Sequence, residues 1–211
     1  MRAVAALEPG WLAFARELHA IGQTGLHFAK DTFDRERYGR LRELASEMMA
    51  AGSGIAGSEV AELFGVEIGY ATPRIGVRGA VFRDDRILMV RETTDGRWSL
   101  PGGWAEVNQT ARESVEREIR EESGYTARAI KLAAVWDRTR QGHPPAPVSV
   151  CRLFFICELT GGTPRPSIET TEIDFFAEDA LPELSPGRVL PHQIRRMFAH
   201  YRQPDLPTEF D

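Results

Sequence analysis

Apolar positions change their spacing along the chain, dividing it into a helical beginning and a β-rich remainder. Trp11, Phe14, Ala15, Leu18, Ile21 and Gly22 recur every three or four residues, the period of one helix face, with Pro9 placed to open the helix. Gln23-Thr24-Gly25 is expected to bend or end it. A second helix is expected from Asp34 as N-cap, with Phe33 and Tyr38 as a hydrophobic staple. Tyr38, Leu41, Leu44, Ala45 and Met48 carry its stripe to about Met49. Residues 51–54 form a break, and 58–64 can form a short third helix. From Arg74 the pattern turns β. Residues 75–82 and 86–91 read as strands around the turn Arg83-Asp84-Asp85, and 98–101 lead into a glycine pair. Residues 127–138 and 148–159 are further strands, separated by Pro144-Pro145-Ala146-Pro147, which no central strand accommodates. A turn at 161–164, a short strand at 173–177 and a helix at 191–201 complete the chain.

Strands around one helix, with another near the end, predict an α/β fold: an α/β/α sandwich with a mixed β-sheet over residues 69–211. A small helical domain over residues 1–68 precedes it. Helices of this size bury little alone, so they must pack on the following domain or on a second copy of the chain. Both arrangements are open from the pattern.

Composition narrows the setting. With 211 residues, 42% hydrophobic and 27% charged, the chain can build a real core. A net charge of −5 supplies no overall field for nucleic acid, although Arg35, Arg37, Arg40 and Arg42 cluster on one segment. No apolar run reaches the length of a membrane span and nothing resembles a signal peptide, which predicts a cytoplasmic protein. Cys151 and Cys157, if on one strand, lie about 20 Å apart and cannot bridge.

The chemistry concentrates in residues 102–125. Glu118, Glu121 and Glu122 stack on one side of a helical turn, where mutual repulsion is relieved either by water, as on an ordinary solvated acidic face, or by a hard divalent cation. Thr110 and Glu113 form a capping box that starts this helix at Ala111, and Gly124 supplies its left-handed stop. Gly102-Gly103 lets the preceding loop turn tightly or approach another group.

This segment resembles the Nudix box, G-x5-E-x7-R-E-U-x-E-E-x-G-U, with U a bulky apolar residue. Gly103, Arg117, Glu118, Ile119, Glu121, Glu122, Gly124 and Tyr125 fall on its fixed positions, and Gln109 stands where the first Glu belongs. Asp31-Thr32-Phe33-Asp34-Arg35-Glu36-Arg37-Tyr38 is similar to the helical N-terminal extension of Nudix enzymes called ADP-ribose and CDP-choline pyrophosphatases. The resemblance implies the Nudix fold, a homodimer and Mg²⁺ or Mn²⁺ held by Glu118, Glu121, Glu122 and the Gly102 carbonyl. It implies hydrolysis of a nucleoside diphosphate linked to another moiety, with ADP-ribose or a CDP-alcohol as substrate. Catalytic roles fall to Glu118 and Glu121, and structural support of the site to Gly103, Gln109 and Arg117. Gln109 keeps an amide oxygen for Arg117, with Glu106 as a nearby substitute acid. The alternative is a nucleotide-binding module with weak or no hydrolysis.

A general base outside the helix is sought among Glu169, Glu172 and Asp174, with Glu172 preferred because it precedes Phe175-Phe176. Arg78, Arg91 and Glu106 are candidate substrate-binding residues. Trp136 and Phe176 are read as packing, and His143 as an exposed loop residue.

Overall fold

The computed structural model describes residues 9–53, 60 and 68–211. Contacts divide these into two compact units, one reaching Pro73 and including Pro144–Ser149, the other comprising Arg74–His143 and Val150–Asp211.

In the first unit α1 (Gly10–Phe28) and α2 (Thr32–Ser53) form an antiparallel hairpin. Gln23-Thr24-Gly25, expected to bend or end the first helix, lies inside α1, and Gly25 serves close approach: a Cβ there would sit 2.2 Å from the Tyr38 ring. The cap of α2 is also corrected. Asp31 Oδ1 accepts from the backbone N–H of Phe33 at 2.7 Å and of Asp34 at 3.2 Å, so Asp31 is the N-cap, and Phe33 stands exposed instead of stapling the turn. The face α1 buries carries Leu12, Ala15, His19, Gly22 and Gln23, whereas Phe14 and Ile21 of the expected stripe face outward. The expected third helix lies outside the described residues except for buried Val60. Arg37 pairs with Asp34 and Arg40 with Glu43 and Glu47, an ion-paired surface rather than a free basic groove.

The second unit is a seven-stranded mixed sheet between helices. Its elements are β1 (Arg74–Arg83), β2 (Arg86–Glu92), β3 (Trp98–Ser99), α3 (Ala111–Ser123), β4 (Tyr125–Asp137), β5 (Val150–Gly162), β6 (Thr170–Phe176), α4 (Pro191–Arg202) and β7 (Glu209–Phe210). The order runs β3-β2-β1-β5-β4-β7, with β6 paired to β2; β1–β5 and β4–β7 are parallel and the other pairs antiparallel. Alternation along the strands makes two cores. Val77, Val81, Leu88, Phe155 and Phe175 pack with Val115 and Ile119 of α3. Ala80, Phe82, Met89, Phe154 and Trp136 pack with Ile194, Met197 and Phe198 of α4. The sandwich is therefore the one the sequence predicts, with Trp136 and Phe176 in packing roles. Both cysteines are free, and burial pushes the Cys157 thiol up to about 12. No helix among the described residues is long and apolar enough to cross a membrane.

Candidate active site

Local sequence sets the frame. Thr110 and Glu113 close the capping box, the Glu113 carboxylate accepting from Thr110 N–H at 2.8 Å, and Gly124 ends α3 at φ 75°. The glycine loop is stitched to β1: Val77 N–H donates to Gly103 O and Gly79 N–H to Pro101 O, each at 2.9 Å. Gly102 holds φ 146°, and a Cβ there would lie 2.1 Å from the Val77 carbonyl. A Cβ on Gly103 would meet Glu118 Oε1 at 2.6 Å. Only glycines let this loop lie on the carboxylates.

Glu118 and Glu122 are buried, while Glu121 is exposed. Burial pushes the Glu122 carboxyl up to about 8, and the nearby Arg78 guanidinium and the Gly102 N–H, 2.8 Å from Oε2, oppose only part of that rise. Burial also raises Glu118, against the pull of Arg117. Arg117 holds the group together: it contacts Glu118 at 2.8 Å, Glu121 at 2.7 Å and Glu106 at 3.4 Å. Its Nε donates to Gln109 Oε1 at 3.2 Å, so the amide oxygen meets Arg117 as expected, and Glu106 supplies the charge Gln109 lacks. These acids share a cavity of about 450 Å³ with Trp104 and the loop Ser167–Glu169. Glu106, Glu118, Glu121, Glu122 and Glu169 line it, with Arg117 as its cation.

Other candidates stand elsewhere. Arg78 is buried, its guanidinium donating to the carbonyls of Leu100, at 3.2 Å, and Gly102. Its donors serve the loop. Arg91 pairs with Glu172 at 2.5 Å and donates to Gly96 O at 2.7 Å. On β6, Ile173 and Phe175 pack toward α3, so Glu172 points to the opposite face, away from Glu118 and Glu122. The structure does not bring Glu172 to the carboxylate cavity. Glu169 reaches it instead: its carbonyl accepts from Thr93 N–H at 2.9 Å, and Thr170 Oγ1 donates to Glu122 O at 2.6 Å, tying this loop to the end of α3. Strand alternation at 173 and 175 is the signal that separates the two acids.

Sequence reading also missed a buried charge network. Glu92, 3% exposed, meets Arg188 at 2.9 Å, and its charge and that of Glu122 both act on Arg78. Buried Arg152 donates to Gly187 O at 2.7 Å and to Arg188 O. His143, expected to be exposed, is buried beside Arg152, and burial first, then that guanidinium, push its imidazole down to about 3. Isolated charges give no periodic signal, so such partners are invisible along the chain.

A capped helix presenting buried carboxylates beneath a glycine loop, on a mixed sheet between helices, is the architecture of a Nudix site. Residues 72–197 match the family model described as NUDIX domain, and the chain belongs to that family. It is a Nudix-type pyrophosphohydrolase, and residues 9–64 match a model described as a UDP-X-like N-terminal oligomerisation domain. YjhB of Bacillus subtilis, named provisionally as an ADP-ribose pyrophosphatase, is 46% identical over 201 residues, covering 95% of this chain and 97% of that one. A solved UDP-X diphosphatase is 36% identical, with a TM-score of 0.62, over 95% of this chain and 98% of that one. A solved ADP-ribose pyrophosphatase from Streptococcus suis is 36% identical, with a TM-score of 0.61, over 66% of this chain and all of its own.

Proposed function

We propose that the protein hydrolyses the phosphoanhydride of a nucleoside diphosphate linked to a second moiety, of the ADP-ribose or UDP-linked type, as a homodimer using Mg²⁺ or Mn²⁺. The observation that carries this reading is the cavity with five carboxylates against one guanidinium, two of the carboxylates being buried. With buried Glu122 still holding its proton, four acids outnumber that guanidinium, and oxygen-only donors suit a hard cation such as Mg²⁺ or Mn²⁺. Among the described residues no three acids yet converge on one point: Glu118 and Glu121 turn to Arg117, and Glu122 turns to Gly102 N–H. The residues fit by chemistry, with rotamer changes at Glu118 and Glu121. Those two, Glu122 and the Gly102 carbonyl would hold the ion. When bound, it neutralises phosphoryl oxygens and acidifies water.

The chain's own residues do the rest. Glu122 must shed its proton to serve as a ligand. Arg117 and Gln109 hold α3 to the loop, and Arg78 fixes the Gly102 carbonyl. Glu169 takes a proton from the attacking water, giving a nucleoside monophosphate and a phosphorylated partner. Glu169→Gln is expected to lower kcat by about 10- to 100-fold with little change in KM, while Glu172→Gln stays within about threefold of wild type. Equal losses in the two variants reject this assignment.

Support for the substrate class comes from the names of the relatives. These point to ADP-ribose and UDP-linked compounds, so UDP-sugars join ADP-ribose and CDP-alcohols in the panel to be assayed. Support for the homodimer comes from the oligomerisation-domain match and from exposed Phe14, Phe28 and Phe33. The two free thiols suit a reducing cytoplasm. The test is phosphatase-coupled phosphate release with Mg²⁺ or Mn²⁺; no turnover of any diphosphate at high enzyme concentration sinks the proposal. In the same assay Gln109→Glu is expected within about threefold of wild type, because an exposed or half-exposed charge contributes about 0–1 kcal/mol. A gain of about a hundredfold would show that Gln109 holds the site back, which is the weak-hydrolysis alternative.

A further inference from the structure

Besides its acids, the carboxylate cavity presents an indole. Trp104 follows the glycine pair and lines the cavity with 50% of its surface exposed. Its backbone forms a bridge with Gly76, and both neighbours are bonded to β1, Gly103 O accepting from Val77 N–H and Ala105 N–H donating to Ile75 O, each at 2.9 Å. The ring is therefore carried on fixed backbone. The Arg74 guanidinium lies over it, 5.8 Å from the centroid, and occupies one face. Ile168, 93% exposed, lines the same cavity from the loop before β6. Neither hydrophobic core of the second unit includes Trp104 or Ile168.

Acids and a cation account for recognition of a diphosphate, but they leave the apolar faces of a planar heterocycle uncovered. A rigid indole with a face toward solvent does, because every base has a π-face to stack on it. We infer that Trp104 is the stacking platform for the nucleobase of the substrate, with Ile168 as an apolar wall of the same subsite. The inference rests on the nucleoside diphosphate reading of the site. Stacking reads planarity rather than base edges, so the subsite accepts purine and pyrimidine alike and Trp104 does not choose between them.

The test compares ligands with and without a base. AMP, UMP and ribose 5-phosphate are titrated with Mg²⁺ into wild type, Trp104→Ala and Trp104→Phe, read by calorimetry and by competition against a turned-over diphosphate. Trp104→Ala is expected to weaken AMP and UMP by about tenfold or more, leaving ribose 5-phosphate within about twofold. KM for the diphosphate rises in step while kcat stays within about threefold, and Trp104→Phe restores most of the affinity. Unchanged AMP affinity in Trp104→Ala, or an equal loss for ribose 5-phosphate, overturns the inference. If the wild type turns over no diphosphate, the proposed activity fails by itself, and calorimetric titration of AMP against ribose 5-phosphate still decides the role of Trp104.

Discussion

Glu122→Gln is expected to lower kcat/KM by roughly 10²- to 10³-fold or more, and to make the metal-free protein more stable at alkaline pH. Both effects have one cause. The Glu122 carboxyl is 5% exposed and its affinity for a proton is pushed up to about 8 by burial. On the proposed reading, catalysis needs the charge that the fold resists. In the native state the group keeps its proton above the ordinary carboxylate range, so the native state binds more protons than the unfolded chain between about pH 5 and 8. That stability is fully present below the ordinary carboxylate range and is lost as pH rises through about 8, at a slope near 1.4 kcal/mol per pH unit. Thermal midpoints of metal-free wild type should fall across this window, and Glu122→Gln should lack that decline. Added Mn²⁺ should raise the wild-type midpoint more at pH 8 than at pH 6, since the ligand must be deprotonated. A wild-type midpoint that stays flat over the window would refute the account.

Arg78→Met should be the most damaging substitution outside the carboxylates. It removes the donor to Leu100 O and Gly102 O, and it strips a cation from beside Glu92 and Glu122. Breaking a buried charge group by deleting one partner costs about 3–5 kcal/mol. For a chain of this size that corresponds to a drop in thermal midpoint of roughly 10 °C. Arg78→Lys retains the charge without the planar fork that reaches two carbonyls, so it should fall between wild type and Arg78→Met. Mn²⁺ binding, followed by electron paramagnetic resonance, should weaken in both variants because the Gly102 carbonyl is no longer aimed. A melting curve of Arg78→Met within about 2 °C of wild type would contradict this role.

The site was legible where its information is local. The capping box, the stop at Gly124 and the carboxylate spacing all lie within one helix, and each appears where its spacing placed it. Amide-to-guanidinium contact at Gln109 was legible for the same reason, since loop and helix are neighbours in sequence. Strand alternation likewise set the sandwich, because each strand carries its own two faces. What failed was what depends on distant partners. Gly25 reads as a breaker until the Tyr38 ring is seen against it. His143 reads as a solvated loop until Arg152 and Pro186 enclose it. The two-residue strand β7 offers too short a pattern to register, although Glu209 draws together Arg196 and His200. Glu172 reads as a general base from its position before two aromatics, yet the alternation of Ile173 and Phe175 turns it to the other face.

The many contacts of Arg117 bear on how a cation arrives. Its guanidinium already occupies the electrostatic place of an ion between Glu118 and Glu121, as a mobile counter-ion sits in an exchange resin. On the proposed metal-dependent reading, loading the site would be a competition in which one tethered positive charge yields those two carboxylates to a free one. A singly charged ion gains nothing over the arginine it must displace, and it lacks the arginine's hydrogen bonds. A doubly charged ion gains the difference. On that reading, selection against the abundant monovalent cations would follow from the resting arrangement, before any feature of cavity size comes into play.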